Sequence, residues 1–273
     1  MGKVWKIGLV GLKLLRYPFV SLLVIGMMGG FSSGLLGLGG AFLIIPPMIS
    51  WLGMDRHRAH ATALTVMFFT STTVVLITLG TTHLVTPGII IFPAVGSVAG
   101  VAIGTRIMRH LSGRWLGLLF SFFLLSAALD LMAIRFMPSP MLLLKSALEM
   151  HVLAGIIGLV AGIVSGSLGV GSGAIVIPLA ITLLGCNQLS AQGISLVVVA
   201  SVSFAGGFIH WTENTLDKRV LGWLIAGGMG GAVAGIEIST RVPTILLQVT
   251  LIGTLLAIGF TQLRTTLQSS KYD

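Results

Sequence analysis

Between Arg16 and Asp55, between Arg58 and Arg106, and between Glu149 and Glu213, this chain has no Asp, Glu, Lys or Arg. A bilayer core of about 30 Å needs roughly 20 apolar residues per helical crossing, and these uncharged stretches supply several crossings end to end. With 55% of 273 residues hydrophobic and 8% charged, there is too little polar surface to clothe a soluble core. The chain reads as an all-α polytopic membrane protein. Its 16 Lys plus Arg against 7 Asp plus Glu fit the positive-inside bias of cytoplasmic loops. No aromatic-basic platform accompanies that charge, so nucleic acid is excluded as a partner and membrane lipid takes its place. A lone Cys186 excludes an intramolecular disulfide and a multi-cysteine metal site, and reads as a small packing residue.

An internal repeat sets the organisation. Residues 33–53 (SGLLGLGGAFLIIPPMISWLG) and 165–185 (SGSLGVGSGAIVIPLAITLLG) share ten identities in 21 positions, among them Ser33 with Ser165, Gly37 with Gly169 and Pro46 with Pro178. Residues 96–106 (GSVAGVAIGTR) and 231–241 (GAVAGIEISTR) share seven in eleven, three residues further out of step. The duplication covers nearly the whole chain: a basic N-terminal segment 1–17, a first repeat 18–135, a link 136–146, a second repeat 147–265 and a tail 266–273. Lys3, Lys6, Lys13 and Arg16 before an apolar run resemble a secretory leader, but Phe19–Gly30 has its counterpart in His151–Gly162, which argues against cleavage.

Full-length spans are expected near 61–79, 87–108, 115–134, 193–211, 220–240 and 243–262. The two Gly-rich blocks fit either single crossings or hairpins: Phe19–Gly30, a loop Phe31–Gly40, and Ala41–Gly53, with prolines as breakers. Single crossings divide Lys and Arg 10 to 6 across the membrane, whereas hairpins divide them 13 to 3, with only Arg135, Lys145 and Arg241 outside. Hairpins also give five segments per half, an odd number, which inverts the second half relative to the first. The expected plan is two inverted repeats, each a broken or re-entrant Gly-rich hairpin followed by three transmembrane helices. It places the N-terminus in the cytoplasm of a bacterial cell whose inner membrane holds the protein. Inverted repeats with broken segments are a recurring plan of secondary transporters.

A chain that leaves the helix at membrane depth must satisfy its backbone groups from protein, water or ligand. Glycines permit positive φ and close approach, and a short helix starting beyond them aims its N–H groups and positive dipole end back at the loop. Helix starts at Gly39–Ala41 and Gly171–Gly173, with Ser32, Ser33, Ser165, Ser167 and Ser172, would form a polar cradle for an anion. The competing reading is small-residue packing, which Gly30 and Gly34 permit and which prevails for Gly96, Gly100 and Gly104. For Gly227, Gly231 and Gly235, internal packing and a homodimer seam both remain open.

The run Ser33-Gly34-x-x-Gly37-x-Gly39-Gly40 followed by Pro46, its copy Ser165-Gly166-x-x-Gly169-x-Gly171-Ser172 followed by Pro178, and the later Gly96-Gly100-Gly104-Thr105-Arg106 element resemble the sulfite exporter TauE/SafE family. The resemblance covers both halves. It implies a membrane transporter for sulfite, sulfonates or another small organosulfur anion. It also implies a site element opening the helix after each hairpin, here Ala61-Thr62-Ala63-Leu64 and Gly193-Ile194-Ser195-Leu196, where each copy keeps one hydroxyl. Thr62 and Ser195 would then complete the split site, with His60 and its repeat counterpart Gln192 as donors just before them.

Glu237 and Arg241 stand four apart, the spacing of a same-face helical ion pair, and fit either structural pairing or a coupling role. Arg106, the counterpart of Arg241, faces Ala102 instead of an acid and fits either anion attraction or snorkelling. His83, His151 and His210 lack companions at ligand spacing, so neither a metal nor a cofactor is expected. Trp51, Trp115 and Trp211 read as interfacial anchors. Alternating access is the leading mechanism, with downhill uniport, proton coupling and sodium coupling open; an anion channel is the alternative. An intramembrane enzyme is weaker, because no nucleophile with a base and orienter, no H-E-x-x-H and no G-x-S-x-G occurs.

Overall fold

The computed structural model describes residues 19–81, 87–108, 113–136, 146–168, 171–212, 216 and 218–269. Among them every regular element is a helix: α1 (Phe19–Leu36), α2 (Ala41–Ser50), α3 (Arg56–Thr81), α4 (Pro87–Met108), α5 (Gly113–Phe136), α6 (Ala147–Leu168), α7 (Gly173–Leu183), α8 (Gln188–Thr212), α9 (Lys218–Arg241) and α10 (Thr244–Ser269). Five elements before the link and five after it correspond in order, and α10 runs on past residue 265, the end expected for the repeat. Seven helices are long and apolar enough to cross a membrane; α4 adds a 22-residue helix that is apolar over Ile90–Arg106. The protein is a polytopic helical membrane protein.

The hairpins differ from expectation in their first arms. Helix α1 does not stop at Gly30 but continues to Leu36, which reduces the loop to Gly37–Gly40. Close packing holds it there: a Cβ on Gly34 would lie 2.3 Å from the Ala232 carbonyl of α9, so the helix is gripped beyond the point where its own propensity weakens. Only the second arms are short. At 10 and 11 residues, α2 and α7 reach about 15 Å, half the bilayer core. Nor do the prolines break them. Pro46, Pro47 and Pro178 lie inside the helices, and Ser50 and Thr182, 132 residues apart, donate equivalent hydroxyl bonds to the Pro46 and Pro178 carbonyls at 2.8 and 2.9 Å.

Helix α2 doubles back along α1, since the Cβ positions of Gly29 and Gly40 fall on Ile44 and on the Gly29 carbonyl. Two seams tie the halves together. Gly26, Gly30 and Gly34 of α1 meet the backbone of α9 near Leu224, Gly228 and Ala232, while Gly227, Gly231 and Gly235 of α9 meet the carbonyls of Leu23, Met27 and Phe31. These last three glycines therefore serve internal packing. The same parallel seam recurs between α4 and α6, where Gly96, Gly100 and Gly104 face the carbonyls of Gly155, Leu159 and Ile163. Thus the fourth helix of each half lies along the first helix of the other. Between the halves, α3 crosses α8: Thr65 faces Gly207, Phe68 packs on Phe204, and Val74 clusters with Leu196. Numbers rise along one as they fall along the other, so these equivalent helices run antiparallel, the direction relation an inverted repeat requires.

Candidate functional site

The two hairpin tips meet. A Cβ on Gly173 would stand 2.5 Å from the Gly37 carbonyl oxygen and 2.7 Å from Leu38 Cα, and one on Gly171 would stand 2.9 Å from the Leu38 carbonyl oxygen. Such approach is open only to residues without side chains. In the first loop Gly37, Gly39 and Gly40 take φ of 74°, 84° and 73°, the left-handed region where a Cβ is strained. In the second loop, Gly169 lies outside the described residues. Gly171 is needed for space, Gly39 for space and conformation.

Met67 on α3 and Val199 on α8, again 132 residues apart, close over Gly39. Its Cβ would sit 2.7 Å from Met67 Cε and 2.8 Å from Val199 Cγ1, and Met67 Cε also reaches the Gly171 position. The tips therefore sit beside the middle of α3 and α8. From that level α2 and α7 begin, and neither start is satisfied by a side chain: Gly40 and Ser172 occupy the N-cap positions without a side-chain capping bond. The first amides of a helix lack intrahelical acceptors and carry its positive dipole end. Two such starts converge here.

Most described helical hydroxyls in this protein turn back onto a carbonyl three or four residues earlier, as Thr65, Ser97, Ser121, Ser201 and Ser239 do. Ser32, Ser33, Thr62 and Ser172 are buried and make no such bond or any other. Ser32, Ser33 and Ser172 belong to the cradle expected from sequence, and Thr62 to the split site that the family resemblance implies. A buried polar group without a partner costs free energy, and a set of them around one loop pair marks a place that something polar completes. Two more unpartnered hydroxyls escaped the sequence reading: Ser71 and Ser203, buried at 0% and 1% exposure. They stand one helical turn beyond Met67 and Val199 and are related by the same 132-residue offset, which was the signal that could have found them. The Gln188 amide, at the start of α8, is also buried with neither its nitrogen nor its oxygen paired.

Other expected residues have different tasks. Ser195 donates its hydroxyl to the Gly37 carbonyl at 2.7 Å, and the Gln192 amide donates to the Leu35 carbonyl at 3.2 Å. They secure the end of α1, where carbonyls lack intrahelical donors, and hold α8 to the first tip. His60 is half-buried and Ser165 buried; Ser167 has no described side chain. Arg241 and Glu237 do form the same-face pair, but their side chains are 77% and 60% exposed, and Arg106 is exposed as well. The pair stands on the outer surface of α9. Trp51, Trp115 and Trp211 are exposed, as interfacial anchors are.

The profile of the family described as "Sulfite exporter TauE/SafE" matches residues 9–131 and 141–272. Among named proteins, the chain is similar to the "Probable membrane transporter protein YdhB" of Bacillus subtilis (strain 168), at 27% identity over 226 residues, covering 80% of this chain and 89% of the relative. It is also similar to a "Probable membrane transporter protein" of Xylella fastidiosa (strain 9a5c), at 25% identity over 217 residues, covering 79% and 83% respectively.

Proposed function

The chain belongs to the sulfite exporter TauE/SafE family of membrane transporters, and we propose that it carries sulfite, a sulfonate or another small organosulfur anion across the bacterial inner membrane by alternating access. The observation that carries this reading is the meeting of two half-membrane helix starts, Gly40–Ala41 and Ser172–Gly173, among buried hydroxyls with no protein partner. Backbone amides and the positive ends of α2 and α7 would hold the anion, with Ser32, Ser33, Thr62 and Ser172 as neutral donors and Gly37, Gly39, Gly40 and Gly171 letting it approach. Gln192 and Ser195 act one step back, by fixing the Leu35–Gly37 carbonyls.

Alternating access rests on the inverted arrangement, in which rocking one half against the other exchanges the two faces of a shared site. The test is flux in proteoliposomes: saturable uptake of sulfite or methanesulfonate, recovered chemically unchanged, with carboxylates excluded. Flux that rises linearly with concentration would instead indicate a channel.

Two predictions belong here. Ser33→Ala and Ser172→Ala each remove one donor and should weaken anion affinity about three- to tenfold, measured by titration of the purified protein, with thermal stability unchanged or raised. A loss of folding without loss of affinity would assign these hydroxyls to structure alone. In topology, residues 54–60, 109–114 and 212–219 should face the cytoplasm and 80–86 and 186–192 the outside. Cys186, in the turn after α7, is an internal probe. Burial raises its thiol pKa, so periplasmic maleimide labelling should be slow at neutral pH and accelerate with alkalinity as thiolate forms. Labelling of engineered cysteines in 109–114 from the periplasm would sink the arrangement.

A further inference from the structure

Resting on the anion cradle proposed above, we infer that the site is matched to a single negative charge: it takes hydrogen sulfite or a sulfonate and discriminates against the dianions sulfite, sulfate and thiosulfate. Among the described residues, every buried polar side chain is Ser, Thr or Gln, with no Lys, Arg, His, Asp or Glu. Among these residues the positive potential at the tips comes from the backbone, and His60, half-buried near the start of α3, is the titratable member of the expected site. Each helix start is equivalent to roughly half an elementary charge, so α2 and α7 together offset about one. The opposing negative end of α1 is directed onto Gln192 and Ser195 rather than into the cradle.

Hydroxyls solvate an anion without neutralising it. Ser33 and Ser172, at the ends of the two tips, can orient donors toward the ligand, yet a second negative charge would remain uncompensated. The surroundings make that costly, because Leu38, Met67 and Val199 are buried at 2%, 1% and 0% exposure and bring the local dielectric down. The same methyl-rich wall accepts the alkyl part of a sulfonate, which a carrier built for inorganic dianions would have no reason to accommodate.

The experiment measures binding of methanesulfonate, sulfate, thiosulfate and sulfite to the purified full-length protein, and to Gly39→Val, from mildly acidic to mildly alkaline pH. Methanesulfonate stays a monoanion throughout and should bind with constant affinity. Sulfate and thiosulfate should bind at least about tenfold more weakly. Apparent sulfite affinity should fall with rising pH in step with the hydrogen sulfite fraction. Dianions that bind as tightly as methanesulfonate, or sulfite binding that strengthens with alkalinity, would overturn the charge matching; if Gly39→Val still weakens them all, the cradle itself survives. Binding of no probe, or equal binding by Gly39→Val, removes the cradle and this inference with it.

Discussion

Gly39→Val should leave the protein folded in the membrane and reduce anion affinity by roughly a hundredfold or more. Two effects act together. The residue holds φ at 84°, where a β-branched side chain is strained by about 1–2 kcal/mol, so the loop must rotate its peptide groups away from their present directions. The new Cβ would also stand 2.7 Å from Met67 Cε and 2.8 Å from Val199 Cγ1, with the methyls carried on it. Those neighbours are ends of side chains that can move, which is why the fold should survive. The measurements are a titration with methanesulfonate and a size-exclusion profile in detergent. A monodisperse variant with wild-type affinity would reduce the first loop to a packing device.

Gly30→Val should fail in the opposite order, losing the folded protein itself. Its Cβ would stand 1.9 Å from the Gly228 carbonyl oxygen and 2.7 Å from the Gly228 carbonyl carbon, and a backbone cannot step aside as a methionine tip can. Helices α1 and α9 would have to separate along the seam that joins the halves. A cost above about 4 kcal/mol is expected, visible as loss of the monodisperse species and of the thermal transition. Gly222→Val is the control on α9, where a Cβ meets nothing within 4 Å, and it should behave as wild type. Equal behaviour of the two variants would show that the glycine seam is not what holds the halves together.

Much of this fold was legible in the sequence because its constraints are local. Apolar runs between Arg58 and Arg106 must become helices in a bilayer, and the offset of 132 between Ser33 and Ser165 fixes a twofold plan before any contact is known. The Gly96, Gly100 and Gly104 stripe also gave its role correctly. Failures arose where tertiary context decides. Leu36 rather than Gly30 ends α1 because α9 supports the intervening turn. Pro46 and Pro178 stay inside helices because apolar neighbours and the Ser50 and Thr182 hydroxyls stabilise them.

In the site, residue type announced a cluster of donors but not their targets. Nothing local distinguishes Ser195, committed to the Gly37 carbonyl, from Ser172, which has no partner. Nor does four-residue spacing reveal that Glu237 and Arg241 face outward. Ser71 and Ser203 were missed because they fall between the two blocks of identities that define the repeat, and a serine inside the run Thr70–Thr73 or two residues after Ser201 carries no motif.

The crossed seams bear on descent. A single half, alone in a bilayer, would present two glycine stripes, one on its first helix and one on its fourth, with no helix of its own to receive them. A second copy inserted upside down supplies both partners at once, and an unpaired half has no finished form. An ancestral single-half chain of this design would have had to enter the membrane in both orientations to pair its stripes. Duplication and fusion would have freed each half to settle into one orientation.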